Sequence, residues 1–198
     1  MIVEGRNDET FLEEIVSKST NLGLSPKFYQ NIGISTNKKD NETIMIRKLT
    51  EKNCPYNMLA KIEGGHDFVI RLFTNVVINF LTPSNDLYLT ALFNHDGRDP
   101  ENEVEQIRND VKSRTSGKTD FRSTHSKKLV SGFTRRDFEL FKYVGNNTFP
   151  ISNFTFVTFD QSLESLTSAA LNKPELSLEE IDFRKFASRF KMDDLTKC

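Results

Sequence analysis

Several oxygen-bearing side chains in this sequence stand directly after short apolar runs. Glu4 ends Ile2-Val3, Asn94 and Asp96 follow the run at 87–93, and Asp160 and Glu164 follow the run at 154–159. Asp8 comes one helical turn beyond Glu4. Carboxylates arriving from separate strand ends suit a hard divalent cation such as Mg²⁺, which takes a few oxygen ligands and fills the rest with water or phosphate. In open parallel sheets, ligands gather beyond the carboxyl ends of the strands, where these residues would lie. Some of them have a competing role. Asp8 is placed to cap a helix, and Asp99 before Pro100 reads as an N-cap with proline at the first helical position. Glu164 in a first turn is favoured by the helix dipole. His66, His95 and His125 lack metal-ligand spacing and read as surface or turn residues.

Positioning those groups requires strands alternating with helices, and the chain supplies that pattern. A short strand at 2–3 turns at Gly5 into a helix over 9–19, where Phe11, Leu12, Ile15 and Val16 keep helical spacing. Residues 27–35 and 43–49 read as strands of a β-hairpin insertion covering about 25–57, with the polar run at 37–41 as its loop. A strand at 58–62, a break at Gly64-Gly65, a helix at 68–80, a strand at 87–93 and a polar helix at 101–114 follow. That order implies a mainly parallel sheet with right-handed crossovers. Residues 115–128 read as a polar loop and those near 133–143 as helical, before a strand at 154–159 and a helix at 161–171. In a last helix at 177–191, Leu178, Ile181, Phe186 and Phe190 line one face, suited to packing on the domain or to a homodimer contact. The expected fold class is α/β, a Rossmann-like, mainly parallel sheet flanked by helices over 1–172, with a C-terminal helical tail at 173–198.

Composition narrows the function classes. With 36% hydrophobic and 28% charged residues the chain is not wholly disordered, and a formal net charge of -1 means that any nucleic acid must meet a local patch. The 17 phenylalanines fall mostly in apolar runs and read as core filler, with no tryptophan beside them. Cys54 and Cys198 have no zinc spacing, so a reducing cytoplasm is the expected compartment. The charged amino terminus does not read as a signal peptide, and the apolar stretch at 68–81, broken by Arg71, Thr74, Asn75 and Asn79, is too polar to span a bilayer.

Three motifs carry a family resemblance. Val3-Glu4-Gly5-Arg6-Asn7-Asp8, running into Thr10-Phe11-Leu12, resembles the Glu-Gly-x-x-Asp motif that opens a Toprim domain. Leu92-Phe93-Asn94-His95-Asp96-Gly97-Arg98-Asp99 resembles the family's Asp-x-Asp strand end, with Asn94 in place of the first aspartate. Ser162-Leu163-Glu164 is similar to the Leu-Glu after the last strand of the overcoming-lysogenization-defect type of nuclease. With Gly64-Gly65 the resemblance covers about residues 1–170. Glu63-Gly64-Gly65-His66-Asp67 also fits the first motif, but it leaves too little chain before Asp96 and reads as a glycine turn. The resemblance implies Mg²⁺- or Mn²⁺-dependent hydrolysis of nucleic-acid phosphodiesters. Glu4 would be general acid/base or ligand, Asp96 the main metal ligand, and Asp8, Asn94 and Glu164 further ligands. Because Asn94 carries no charge, the alternative is a degenerate Toprim module that binds nucleic acid or a nucleotide without cutting. A third reading is an unrelated α/β domain whose carboxylates are caps.

The segment 112–136 holds Lys112, Arg114, Lys118, Arg122, Lys127, Lys128, Arg135 and Arg136 against a single acid, Asp120. Phe121 and Phe133 are interleaved, so the segment reads either as a nucleic-acid patch with rings for base stacking or as a solvated loop. The candidate nucleic-acid contacts are Lys118, Arg122, Lys127, Lys128, Arg135 and Arg136.

Overall fold

The computed structural model describes residues 1–30, 38–83 and 87–196. Seven strands form one mixed sheet: β1 (Ile2–Val3), β2 (Pro26–Gln30), β3 (Met58–Ile62), β4 (Leu89–Asn94), β5 (Thr119–Lys128), β6 (Phe133–Val144) and β7 (Asn147–Phe159). Their order is β2-β3-β1-β4-β7-β6-β5. Neighbours from β2 to β7 run parallel, and the β7-β6 and β6-β5 pairs are antiparallel. The fold is therefore α/β and Rossmann-like, as expected.

Two-residue β1 lies at the middle of the sheet, with Val3 opposite Ile62 of β3 and Leu92 of β4. The chain leaves β1 toward β2 and β3 on one side, then crosses back to β4 on the other. The crevice between the ends of β1 and β4 is thus the topological switch point.

Helices cover both faces. On one, α1 (Arg6–Ser17), α5 (Leu163–Leu171), α6 (Glu180–Ala187) and the short α7 (Met192–Leu195) accompany a core containing Val3, Phe11, Leu92, Phe133, Val157 and Phe186. On the other, α3 (His66–Val76), its π-helical continuation (Val77–Leu81) and α4 (Pro100–Arg114) accompany Ile2, Phe73, Phe93, Ile107, Phe138, Phe154 and Phe156. Alternate residues of each strand feed opposite cores, as the period of two requires. Nine phenylalanines are fully buried, and the Phe73 and Phe156 rings meet edge-on at 4.7 Å.

Three expectations change, and the apolar C-terminal face packs on the domain, one of its two expected roles. Residues 43–49 belong to helix α2 (Lys38–Leu49), so the β-hairpin insertion is replaced by a strand and a helix. The β-branched run suggested a strand, but Ile46 is partly buried against the second core at helical spacing from Leu49. β2 pairs in parallel with β3 inside the sheet, and residues 31–37 lie outside the described part. Within the expected loop at 115–128, residues 119–128 form β5, and the expected helix near 133–143 is β6. Charges hid their alternation, because Arg135 and Asp137 point inward as a buried ion pair at 2.9 Å. The C-terminal tail is part of the core: Phe183, Phe186, Phe190, Met192 and Leu195 are all buried in the first cluster. Ile181 stays outside, 63% exposed. Among the described residues, no helix is long and apolar enough to cross a membrane.

Candidate metal centre at the sheet switch point

Glu4 is held at the end of β1 by the geometry of its neighbours. The Asn94 N–H donates to Glu4 Oε2 at 3.1 Å, while the Gly65 N–H donates to the Glu4 carbonyl at 3.3 Å. Burial, and next to it the charge of Asp96, push the half-buried Glu4 carboxyl above its usual range, against the pull of the Asn94 N–H.

Asp96 arrives on the turn after β4. The Asn94 side-chain oxygen accepts the Asp96 N–H at 2.9 Å, closing an Asx turn, and Asp96 and Gly97 take left-handed φ angles of 51° and 73°. This turn projects the exposed Asp96 back over Glu4. One ligand atom each of Glu4, His66 and Asp96 lie within 4.8 Å of one another. Oxygens sharing one ion through bonds of about 2 Å lie at most about 4 Å apart, so a small side-chain adjustment brings the two carboxylates onto a single ion.

α1 starts earlier than its apolar spacing suggests, with Gly5 as N-cap and Asp8 at the third helical position. Asp8 Oδ2 accepts the Gly5 N–H at 2.8 Å, and a Cβ at Gly5 would come within 3.3 Å of that oxygen. Its other oxygen, Oδ1, is buried without a hydrogen-bond partner. Burial first, then the charges of Glu4 and Glu164, push Asp8 up to about 7. Glu164 lies in the first turn of α5, where Asn7 Nδ2 donates to it at 2.6 Å. Among the described residues, no lysine or arginine forms an ion pair with Glu4, Asp8, Asp96 or Glu164. Carboxylates gathered without a protein cation form an oxygen donor set that suits a hard divalent ion.

The remaining expectations divide. Asp99 is the N-cap of α4, accepting from the Glu101 and Asn102 N–H groups at 2.8 and 3.0 Å ahead of Pro100. The oxygen of the Asn94 amide serves the turn. His66 and His95 are buried, contrary to the surface reading. His66 Nδ1 lies 2.7 Å from the Asn94 carbonyl and its Nε2 against Glu103, while His95 Nδ1 meets the other Glu103 oxygen at 2.5 Å. With both ring nitrogens engaged, His66 leaves Glu4 and Asp96 as the oxygen pair for an ion. Burial would raise the Glu103 carboxyl, but the two histidines overcome it and hold it down to about 2. The signal for Glu103 was its position on the buried stripe of α4, one and two turns ahead of Ile107 and Val111.

No family model, curated protein or solved structure matches the chain.

The basic residues spread along an antiparallel ribbon. Lys127 and Lys128 sit at the site end of the sheet, since the register runs from Asn94 to Phe159 to Phe133, and Lys128 pairs with Thr134. Three strand spacings place that edge about 14 Å from β4. Lys118 lies at the opposite end, where its carbonyl accepts the Tyr143 N–H. Arg122 pairs with Glu139 at 2.6 Å, Arg136 with Glu101 at 2.8 Å, and Lys127 with Asp194 at 3.7 Å. Arg135 is buried and donates to the Thr196 carbonyl at 2.8 Å, so it anchors the C-terminal segment rather than a phosphate. Phe121 and Phe133 are 1% exposed and are not available for base stacking.

Proposed function

We propose that Glu4 and Asp96 bind Mg²⁺ or Mn²⁺ and that the protein hydrolyses nucleic-acid phosphodiesters as a Toprim-type nuclease. The convergence of these two carboxylates within 4.8 Å at the switch point carries this reading. The buried, unpartnered Asp8 oxygen beside them supports it. Asp96 would be the main ligand, Glu4 ligand or general acid/base, and Asp8 and Glu164 would help from α1 and α5. A bound divalent ion would supply positive charge for the phosphoryl oxygens. Water is the favoured nucleophile, because the described tyrosine hydroxyls are engaged elsewhere. Tyr56 bonds to the Met45 carbonyl, Tyr88 to Thr155 and Tyr143 to Asp120. A reducing cytoplasm is part of the same proposal.

A second reading, a module that binds nucleic acid or nucleotide without cutting, is favoured by one observation. Asn94 replaces a carboxylate and spends its oxygen on the Asp96 turn. Labelled single- and double-stranded DNA and RNA, incubated with Mg²⁺ or Mn²⁺, separate the two. Cleavage by the wild type that is lost in Glu4→Ala and Asp96→Ala but kept in Asp99→Ala is the expected result. Metal-dependent retention without cleavage would favour the second reading. Equal cleavage by Glu4→Ala and Asp99→Ala would refute the assigned roles.

A further inference from the structure

Behind the carboxylate pair lies a buried trio whose members bond to the backbone that carries the site. His66 from the start of α3, His95 from the turn after β4 and Glu103 from α4 are 6%, 4% and 5% exposed. Glu103 receives both imidazoles, one on each oxygen. Beyond it, His66 reaches the carbonyl of Asn94, whose own N–H holds Glu4 and whose side chain fixes the Asp96 N–H. His95 stands between Asn94 and Asp96, and its N–H donates to the Phe159 carbonyl at 3.0 Å. A carbonyl oxygen can only accept, so the His66 contact requires an N–H at Nδ1, and Glu103 is the acceptor that takes the second N–H at Nε2. The chain of bonds therefore runs from α4 through two rings to the peptide that sets the Glu4 and Asp96 positions. Arg98, 3.8 Å from Glu103 and 3.3 Å from Asp67, closes the solvent side.

We infer that Glu103 is a positioning residue for the cation site, acting through His66 and His95 to fix the Asn94–Asp96 turn. This rests on the metal reading above. Outer partners of this kind tune affinity by orienting groups that do touch the ion.

The test compares wild type, Glu103→Gln, His66→Phe and Val111→Ala. Val111 is fully buried two turns further along α4 and controls for a general loss of stability. Backbone amide hydrogen exchange at residues 94–96 is measured without metal, relative to amides of α1 and α6. Mn²⁺ binding is measured by electron paramagnetic resonance. Glutamine cannot accept from both rings as Glu103 does, and phenylalanine removes both ring donors from position 66. Both variants are expected to exchange faster at 94–96 and to bind Mn²⁺ about tenfold more weakly, with Val111→Ala at the wild-type level in both measurements. His66→Phe also keeps the test open should Glu103→Gln fail to fold. Unchanged relative exchange at 94–96 in the two variants would overturn the inference. So would a directly coordinated nitrogen on the bound Mn²⁺ that disappears in His66→Phe, because His66 would then be a ligand itself. A wild type that binds no Mn²⁺ would defeat the metal reading instead, and the metal-free exchange would still decide whether Glu103 positions the turn.

Discussion

At Asp8 the protein keeps a carboxyl group almost fully out of water with one oxygen satisfied and the other not. Its carboxyl is raised from 3.8 to about 7, so between those values the folded chain holds a proton that the unfolded chain has lost. Stability must then fall as pH rises through that window and level off above it. The full effect is on the order of 4 kcal/mol, a large part of a typical domain's stability. Asp8→Asn keeps an acceptor for the Gly5 N–H and removes the charge. Without divalent metal it should unfold at higher denaturant than wild type at pH 8, with the difference vanishing near pH 4. Equal midpoints at both pH values would show that burial of the charge is not costly. Asp8 was marked as a candidate by its place in the segment that resembles the Glu-Gly-x-x-Asp motif. Its burial was not legible, because that depends on segments distant along the chain, with Glu164 of α5 beside the start of α1.

The elements are held together by polar clamps as well as by the phenylalanine core. α4 carries the Asp99 cap at one end, and near the other it grips β5 through Asp120. Arg108 donates two bonds to Asp120, at 2.6 and 2.9 Å, and Lys112 adds a third contact at 3.0 Å. Asp120 is 1% exposed, so Asp120→Ala removes both of its bonds to Arg108 and the Lys112 contact, leaving Arg108 only Glu105 at 3.5 Å among the described residues. The expected loss is about 2–3 kcal/mol, read from chemical denaturation, whereas Asp99→Ala should cost about 1 kcal/mol. Comparable losses in the two variants would mean that the clamp is dispensable. The sequence marked α4 and its cap because a cap is a local signal. It did not mark β5, whose residues beyond Phe121 are exposed on both faces and show no apolar alternation.

Across the whole molecule, the seven-stranded sheet sets the distance between the carboxylates and the basic edge. Lys127 and Lys128 are about 14 Å from β4, within a few nucleotides of the site, whereas Lys118 is roughly 30 Å away along β5. On the nucleic-acid reading, a Lys127→Ala, Lys128→Ala double variant should bind single-stranded DNA more weakly. It should also flatten the dependence of log affinity on log salt by about 1.4, since each phosphate that a lysine neutralises adds ~0.7 to that slope. Lys118→Ala should leave the slope unchanged. A slope that responds to Lys118 and not to the pair would put the nucleic acid elsewhere.

Sequence alone determined the α/β class, the parallel strands around Glu4 and Asp96, and the cap at Asp99. Each of these rests on local periodicity or on a few adjacent residues. The tertiary structure decided what spacing along the chain cannot carry. It turned 43–49 into a helix because its apolar side meets the second core, and it made strands of 119–128 and 133–144 by pairing β6 with β7 and β5 with β6. It also removed Arg135, Phe121 and Phe133 from the surface and joined His66, His95 and Glu103 beneath the Asp96 turn. Burial and pairing between distant segments produce these features, and a charged residue reads the same in sequence whether it faces water or a partner inside.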